Sequence, residues 1–389
     1  MNSTMKTIIT KTTAILLFAV LLSLSCIMPS AVSEDDLMRH YNATAEKLLS
    51  DPVPQVGSMG GEWEIIGLAR SGRLSAEAAE AYYQNVAGFV ADKNSAVLNK
   101  RKSTDNSRVI LALSAINRDA RDVSGFDLLS PLSDFDYVKR QGINGVIWAL
   151  IALDSKNYPV ASGSDPSIRE RLVEHILSAQ LPDGGWTGSG DISDPDITAM
   201  ALQALAPYCR YDNSVQAAVD KAVELLSSLV LSDNAHLFTP ETDAQIITAL
   251  ASLGIDPTRD ERFCKNGSDL TDYIMQYAVD GGFEHEKNGG FNQMSTEQAF
   301  YSLTAYYRLL NGNTTLYDMT DTGMISGFMY DFNRDGIEDI NDVTTLQAVL
   351  AEYEELPAFE KRIADKNKNG VIDITDAAAL QYRLAFEKD

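Results

Sequence analysis

Between about residues 34 and 320 apolar side chains recur at i, i+3, i+4 and i+7, and alternation of β-branched residues is scarce. That spacing predicts a region almost wholly of helix. One kind of helix returns six times: EWEIIGLARSG (62–72), DNSRVILALSAI (105–116), GVIWALIALD (145–154), DITAMALQALA (196–206), DAQIITALASLG (243–254) and EQAFYSLTAYY (297–307). Each is rich in Ala, Leu and Ile on all sides. Without a wide polar face these six belong on the inner wall of a ring. Amphipathic, more charged segments alternate with them at 36–49, 75–93, 134–140, 166–179, 214–229 and 268–278, and belong outside. Each hairpin buries its apolar face only against its neighbours. Six of them predict a closed all-α barrel, an α/α toroid, in preference to an open solenoid.

Gly-Gly-aromatic turns punctuate the loops that enter the inner helices: Gly60-Gly61-Glu62-Trp63, Gly184-Gly185-Trp186, Gly281-Gly282-Phe283 and Gly289-Gly290-Phe291. Glycine permits the positive φ of a tight turn, and the aromatic ring can plug the hairpin end. HILSAQLPDGGWTG (175–188) resembles the QW repeat of squalene-hopene cyclases and prenyltransferase β subunits, with Gln180, Gly184 and Trp186 at the repeat's spacing. SDPDITAMALQAL (193–205) resembles the Asp-x-Asp-Asp-Thr-Ala motif of class II terpene cyclases, and 241–310 resembles toroid modules of secreted bacterial surface proteins. These likenesses imply a terpenoid cyclase/prenyltransferase-like fold over 34–320.

They imply its chemistry less well. A class II cyclase reading would make Asp196 the proton donor, but Ile197 stands where the motif has its third acid. Protein prenyl transfer needs a zinc held by an Asp-x-Cys pair and a His, and neither Cys209 nor Cys264 has that neighbour. The remaining catalytic reading is carbohydrate-active, with two carboxyl groups flanking a glycosidic bond at the barrel mouth. Asp194, Asp196, Glu297 and His285 are its candidates, with Glu241 and Asp243 nearby, and Trp63, Trp148 and Trp186 are candidate stacking surfaces for a polysaccharide. A non-catalytic, ligand-binding toroid is the alternative. Asp194 also stands where a helix N-cap is expected.

The first 33 residues read as a secretory signal: Lys6 and Lys11, an apolar run from Ala14 to Met28, then Ala31-Val32-Ser33. The run is short of the ~20 residues a spanning helix needs, so no membrane span is expected after cleavage. With 32 Lys+Arg against 55 Asp+Glu the formal charge is −23. Such a surface repels phosphate backbones, so a general nucleic-acid binder is excluded.

The acids gather into a pattern at the C-terminus. DFNRDGIEDIND (331–342) places oxygen ligands at loop positions 1, 3, 5, 9 and 12 with Gly at 6, the spacing by which a loop wraps Ca²⁺. DKNKNGVIDITD (365–376) repeats it. Asp331, Asn333, Asp335, Asp339 and Asp342 correspond to Asp365, Asn367, Asn369, Asp373 and Asp376, while Ile337 and Val371 offer backbone carbonyls. Position 12 is Asp where a standard EF-hand has Glu. The pair resembles a dockerin over 323–389, reached by a linker around 312–324. The resemblance implies two calcium ions, a scaffoldin cohesin as partner, a contact surface at Ile340, Asn341, Ile374 and Thr375, and a place in a secreted, cellulosome-type complex acting on plant polysaccharide.

Overall fold

The structure, a computed structural model, describes residues 31–58, 61–160, 164–232, 238–323, 329–333 and 337–386. The leader read at 1–33 lies mostly outside them, as do Gly60 and Asp335. The chain is predominantly helical; the described strands are a two-stranded antiparallel ribbon, Ala278–Val279 (β1) with Gly282–Phe283 (β2). No described helix is long and apolar enough to cross a membrane.

The six apolar segments form α2 (Gly61–Arg70), α4 (Thr104–Ala115), α6 (Gly142–Asp154), α8 (Pro195–Leu205), α10 (Pro240–Ser252) and α12 (Gln293–Leu310). Each packs on the next, and α12 packs back on α2. Burial explains the order: every residue of α6 from Gly145 to Asp154, and of α10 from Pro240 to Ala251, is buried. The more polar segments are α1 (Glu34–Ser50), α3 (Ala76–Lys93), α5 (Phe135–Lys139), α7 (Ile168–Ser178), α9 (Asn213–Val230) and α11 (Leu270–Met275). Of these, α7 lies on α6, α9 on α8, α11 on α10, and α1 on both α2 and α12. Side-chain caps start several helices, Ser75 accepting from Ala78 N and Asp212 from Ser214 N.

The Gln and Trp of the 175–188 motif are fasteners. Gln180 Nε2 donates to Gly184 O and to Ala218 O on α9, both at 2.8 Å, while Trp186 Nε1 donates to Ile176 O at 2.6 Å. Gly184 has φ 98°, and an added Cβ would stand 2.9 Å from Lys221 O. A larger residue would therefore be strained twice over. Cys209 and Cys264 are free thiols.

The expected linker at 312–324 is packed structure through Gly323. After α12 the chain crosses the base of the helices and buries Leu316, Tyr317 and Met319. Tyr317 meets Trp148 edge-on with centroids 5.7 Å apart. Asp321 joins α2 to α12, taking Arg70 Nη1 at 2.5 Å and Arg308 Nη2 at 2.6 Å. Arg70 donates further to the carbonyls of Leu316, Thr315 and Asp318. The partners are about 240 residues away in sequence, which is why the local pattern reads as a linker.

Beyond this segment, α13 (Ile340–Leu350) packs against α15 (Ile374–Phe386) around Phe332, Val343, Leu346, Leu380 and Ile363, the last from α14 (Ala358–Ala364). α14 rests on α7 and on the turn Ala206–Tyr208. Asp154 is buried at this junction: it accepts from Arg169 Nε and from Tyr208 OH, both at 2.7 Å, and Arg362 approaches to 3.6 Å. Phe359 lies under the guanidinium of Arg169, 3.8 Å from its ring centroid.

Burial alone would push the Asp321 carboxyl up, but Arg70 and Arg308 hold it below the ordinary value. Its contribution is therefore present at neutral pH and lost as pH falls through that lowered value. Asp321→Asn is expected to cost about 1.5–3 kcal/mol, the worth of charge-assisted hydrogen bonds, measured by urea denaturation at pH 7. A loss near zero would mean that the clasp does not hold α2 to α12.

Candidate functional site

The first turns of the inner helices and the loop before α12 gather acids at one end of the helical body. Glu62 and Glu64 come from α2, Asp194 and Asp196 from the start of α8, Glu241 and Asp243 from α10, Glu297 from α12, and Glu284 and His285 from the loop. Helix N-termini favour carboxylates, which accounts for the first-turn acids Glu62, Glu64, Asp196, Glu241 and Asp243. Burial acts against their charge. Glu64 is pushed up to about 7 by burial, with Asp51 adding and Lys47 opposing. Glu297 is pushed up to about 8 by burial, with Gln293 opposing and Glu64 and Glu62 adding. Burial also raises Asp196 and holds Asp243 well above the carboxylate range.

These groups form two neighbouring sets. On one side Gln293 Nε2 donates to Glu64 at 3.2 Å, and Glu62 lies 3.6 Å from Arg108. On the other, Glu241 accepts from the Ser295 hydroxyl and lies 3.0 Å from His285 Nδ1. Tyr301 is fully buried between them, feels the charges of Asp196, Glu297 and Glu241, and its OH accepts from Gln245 Nε2 at 2.6 Å. Among the described residues, Asp196 Oδ1 and Glu297 Oε1 are buried without a hydrogen-bond partner. A carboxyl group held protonated can donate, and one held by Ser295 and His285 is an acceptor; acid–base work needs both kinds.

Of the residues singled out from sequence, Asp196, Glu297 and His285 meet at this end. Asp194 is an exposed N-cap, accepting from Asp196 N at 2.8 Å and Ile197 N at 3.2 Å. Trp63 is partly exposed, with ring centroids 4.8 Å from Trp148 and 5.9 Å from Tyr301. Two stacking candidates are corrected. Trp186 is completely buried on its bond to Ile176, and Trp148 is enclosed between Trp63 and Tyr317. Sequence reasoning passed over Glu64, Ser295 and Tyr301. Glu64 carried a signal, an acid inside an otherwise apolar helix; Ser295 and Tyr301 carried none.

The C-terminal loops feed α13 and α15. Asp342, at the twelfth position of the first, is buried and accepts from Asn333 N and Asp339 N. Asp376 does the same in the second with Lys366 N and Asp373 N, both at 2.9 Å. Asp365 accepts from Asn369 N, from Gly370 N, and from Tyr211 OH of the helical body at 2.9 Å. Among the described residues no group of three or more His, Cys, Asp or Glu side chains is gathered to hold a metal. Ile340 and Ile374, the first residues of the two helices, are 54% and 63% exposed, so each leaves most of an apolar side chain in water. No protein-family model matches this chain, and no curated protein matches it.

Because Glu297 and Glu64 bind protons more tightly folded than unfolded, the folded state loses stability as pH rises from the unfolded carboxylate value near 4.5 toward 8. Melting temperature should fall over that interval. Glu297→Gln should flatten the fall and raise stability at pH 8 by about 1–3 kcal/mol. Parallel pH profiles for the two proteins would mean that Glu297 titrates normally.

Proposed function

We propose that the chain is a secreted component of a polysaccharide-degrading complex. A dockerin at 323–389 loads two calcium ions and attaches to a cohesin of a scaffoldin, while an α/α toroid at 34–320 presents its acid-lined mouth to a glycan. The observation that carries the attachment is the pair of acid loops in register, each opening into a helix that packs on the other and each with an exposed isoleucine at its tenth position. The residues suit the metal: Asp342, Asp365 and Asp376 are buried carboxylates whose hydrogen bonds come from backbone amides and, at Asp365, Tyr211. Buried carboxylates need compensation, and a hard divalent cation supplies it.

Asp331, Asn333, Asp335, Asp339, Asp342 and the Ile337 carbonyl would hold one ion. Asp365, Asn367, Asn369, Asp373, Asp376 and the Val371 carbonyl would hold the other. Bound calcium supplies positive charge that neutralises and orders each loop. Ile340-Asn341 and Ile374-Thr375 then offer apolar anchors with polar neighbours, the composition of an interface centre.

At the mouth, Glu297 held protonated near neutrality is the group suited to donate to a glycosidic oxygen. Glu241 or Asp196 is the partner that accepts a proton from water or attacks, and Trp63 is the partly exposed ring on which a sugar can lie. Glycan binding without turnover is the second reading. It draws support from the packing of Trp63 against the buried rings of Trp148 and Tyr301, which leaves its own ring only partly exposed.

Two measurements test the two halves separately. Cohesin capture by the full chain should be strong in millimolar calcium and abolished by excess chelator; equal capture in both would refute the attachment. Mass spectrometry of soluble products from a panel of plant polysaccharides should show new oligosaccharides, reduced at least about 100-fold in Glu297→Gln, the scale of lost general-acid catalysis. Saturable glycan binding without products would establish the binding reading in its place.

A further inference from the structure

The second C-terminal loop meets the helical body at its first and fourth positions. Tyr211 OH donates to Asp365 Oδ2 at 2.9 Å, and Arg210 Nη1 donates to the Lys368 carbonyl at 3.2 Å. Both donors stand in the short turn between α8 and α9, where Tyr211 N donates to Tyr208 O at 2.9 Å and Asp212 caps α9. The hydroxyl is therefore presented from a fixed support. Asp365 is fixed from its own side as well. It ends α14, its N–H donating to Lys361 O at 3.0 Å, and α14 is held on the body by Arg362 on Asn157 at 2.9 Å and by Phe359 beneath Arg169.

Asp365 is 3% exposed and stands at the first liganding position of the loop. A carboxylate offers about four lone-pair sites. Oδ2 accepts from Gly370 N at 2.7 Å and from Tyr211, which fills its two, while Oδ1 accepts from Asn369 N at 3.1 Å and keeps one. Gly370 and Asn369 belong to the loop itself, so the Tyr211 hydroxyl is the donor to this carboxylate that the loop does not supply. Partners of this kind, which bond to a ligand and not to the ion, set the ligand's orientation and tune the affinity of the site. The second loop has the greater need of such a partner. Asn369 stands where the first loop has Asp335, one negative charge fewer.

We propose that the helical body completes the second calcium site. Tyr211 is a positioning residue: its hydroxyl fixes the Asp365 carboxylate and leaves one lone pair of Oδ1 for the cation. Loading of this loop then depends on the body. By reciprocity a loaded loop holds the turn that carries Tyr211 more tightly, so calcium fastens the C-terminal unit to the helices as well as ordering it. The inference rests on the calcium reading of the loops and is independent of what the acid-lined mouth does.

Calorimetric calcium titration of the full chain, stripped of metal, tests it in two backgrounds. Asp331→Ala disables the first loop and leaves the second to be read alone; Asp365→Ala does the reverse. Tyr211→Phe removes a single hydroxyl. Added to Asp331→Ala it should weaken the second loop about tenfold, the scale of a lost outer-shell bond, and added to Asp365→Ala it should leave the first loop unchanged. Arg210→Gln, at an exposed position, should weaken the second loop as well, and by less. Calcium should also slow amide exchange at 206–212 in the wild-type chain, and do so less in Tyr211→Phe. Second-loop affinity unchanged by Tyr211→Phe, or both loops weakened alike, would overturn the role of Tyr211. No calcium uptake by the wild-type chain would overturn the calcium reading itself, and this inference with it.

Discussion

A helix that is apolar on every side cannot end a row, and the rest of this structure depends on that constraint. Each of the six inner helices needs a neighbour on both flanks and a cover behind it, because apolar surface left in water costs roughly 25 cal/mol per Å². The contacts run from α2 through α4, α6, α8 and α10 to α12 and return to α2, so no flank is left over. The return is also where the chain spends its strongest polar contacts. Arg70 on α2 and Arg308 on α12 share Asp321, and the segment carrying Asp321 drives Tyr317 beneath Trp148. The seam between first and last hairpins, which no chain connection closes, is thus closed by charge and by aromatic packing.

Placing the inner helices side by side sorts charge by helix end. Carboxylates at first turns are favoured by the macrodipole, and the first turns of α2, α4, α8 and α10 together concentrate acids that no single helix would find costly. The same gathering buries them and brings Glu297 near Glu64 and Glu62, Asp243 near Asp196, so proton affinity rises by consequence of the fold. At the opposite end, Lys156 follows α6 and Arg210 follows α8. The two ends therefore offer contrasting chemistries, proton-holding acids at one and cations at the other, from a single packing arrangement.

How much of this was legible depended on range. The inner helices were readable because their signal is periodicity within ten to twenty residues, and all six occur within a few residues of the expected limits. The pairing of the C-terminal loops was readable because their Asp and Asn residues recur in register within twelve consecutive residues. Trp186 was ambiguous because a sugar platform and a hairpin plug have the same residue type; the bond to Ile176 decides it, and only folding makes that bond. Glu241 looked like an ordinary first-turn acid until Ser295 and His285, from the other side of a helix pair, were brought onto it. The segment at 314–322 looked like a tether because its partners Arg70 and Ser114 lie more than 200 residues away.

The same dependence on long-range partners ties the second C-terminal loop to the helical body. Asp365 of the second receives a hydrogen bond from the helical body, through Tyr211, while Arg210 reaches the Lys368 carbonyl three residues on. α14, just before that loop, is held by Arg362 on Asn157 and by Phe359 beneath Arg169. Any event that orders the second loop must therefore act on the junction with the body, and any ligand that bridges the junction must act on the second loop. The second loop is thus an element of the junction as well as of the C-terminal unit.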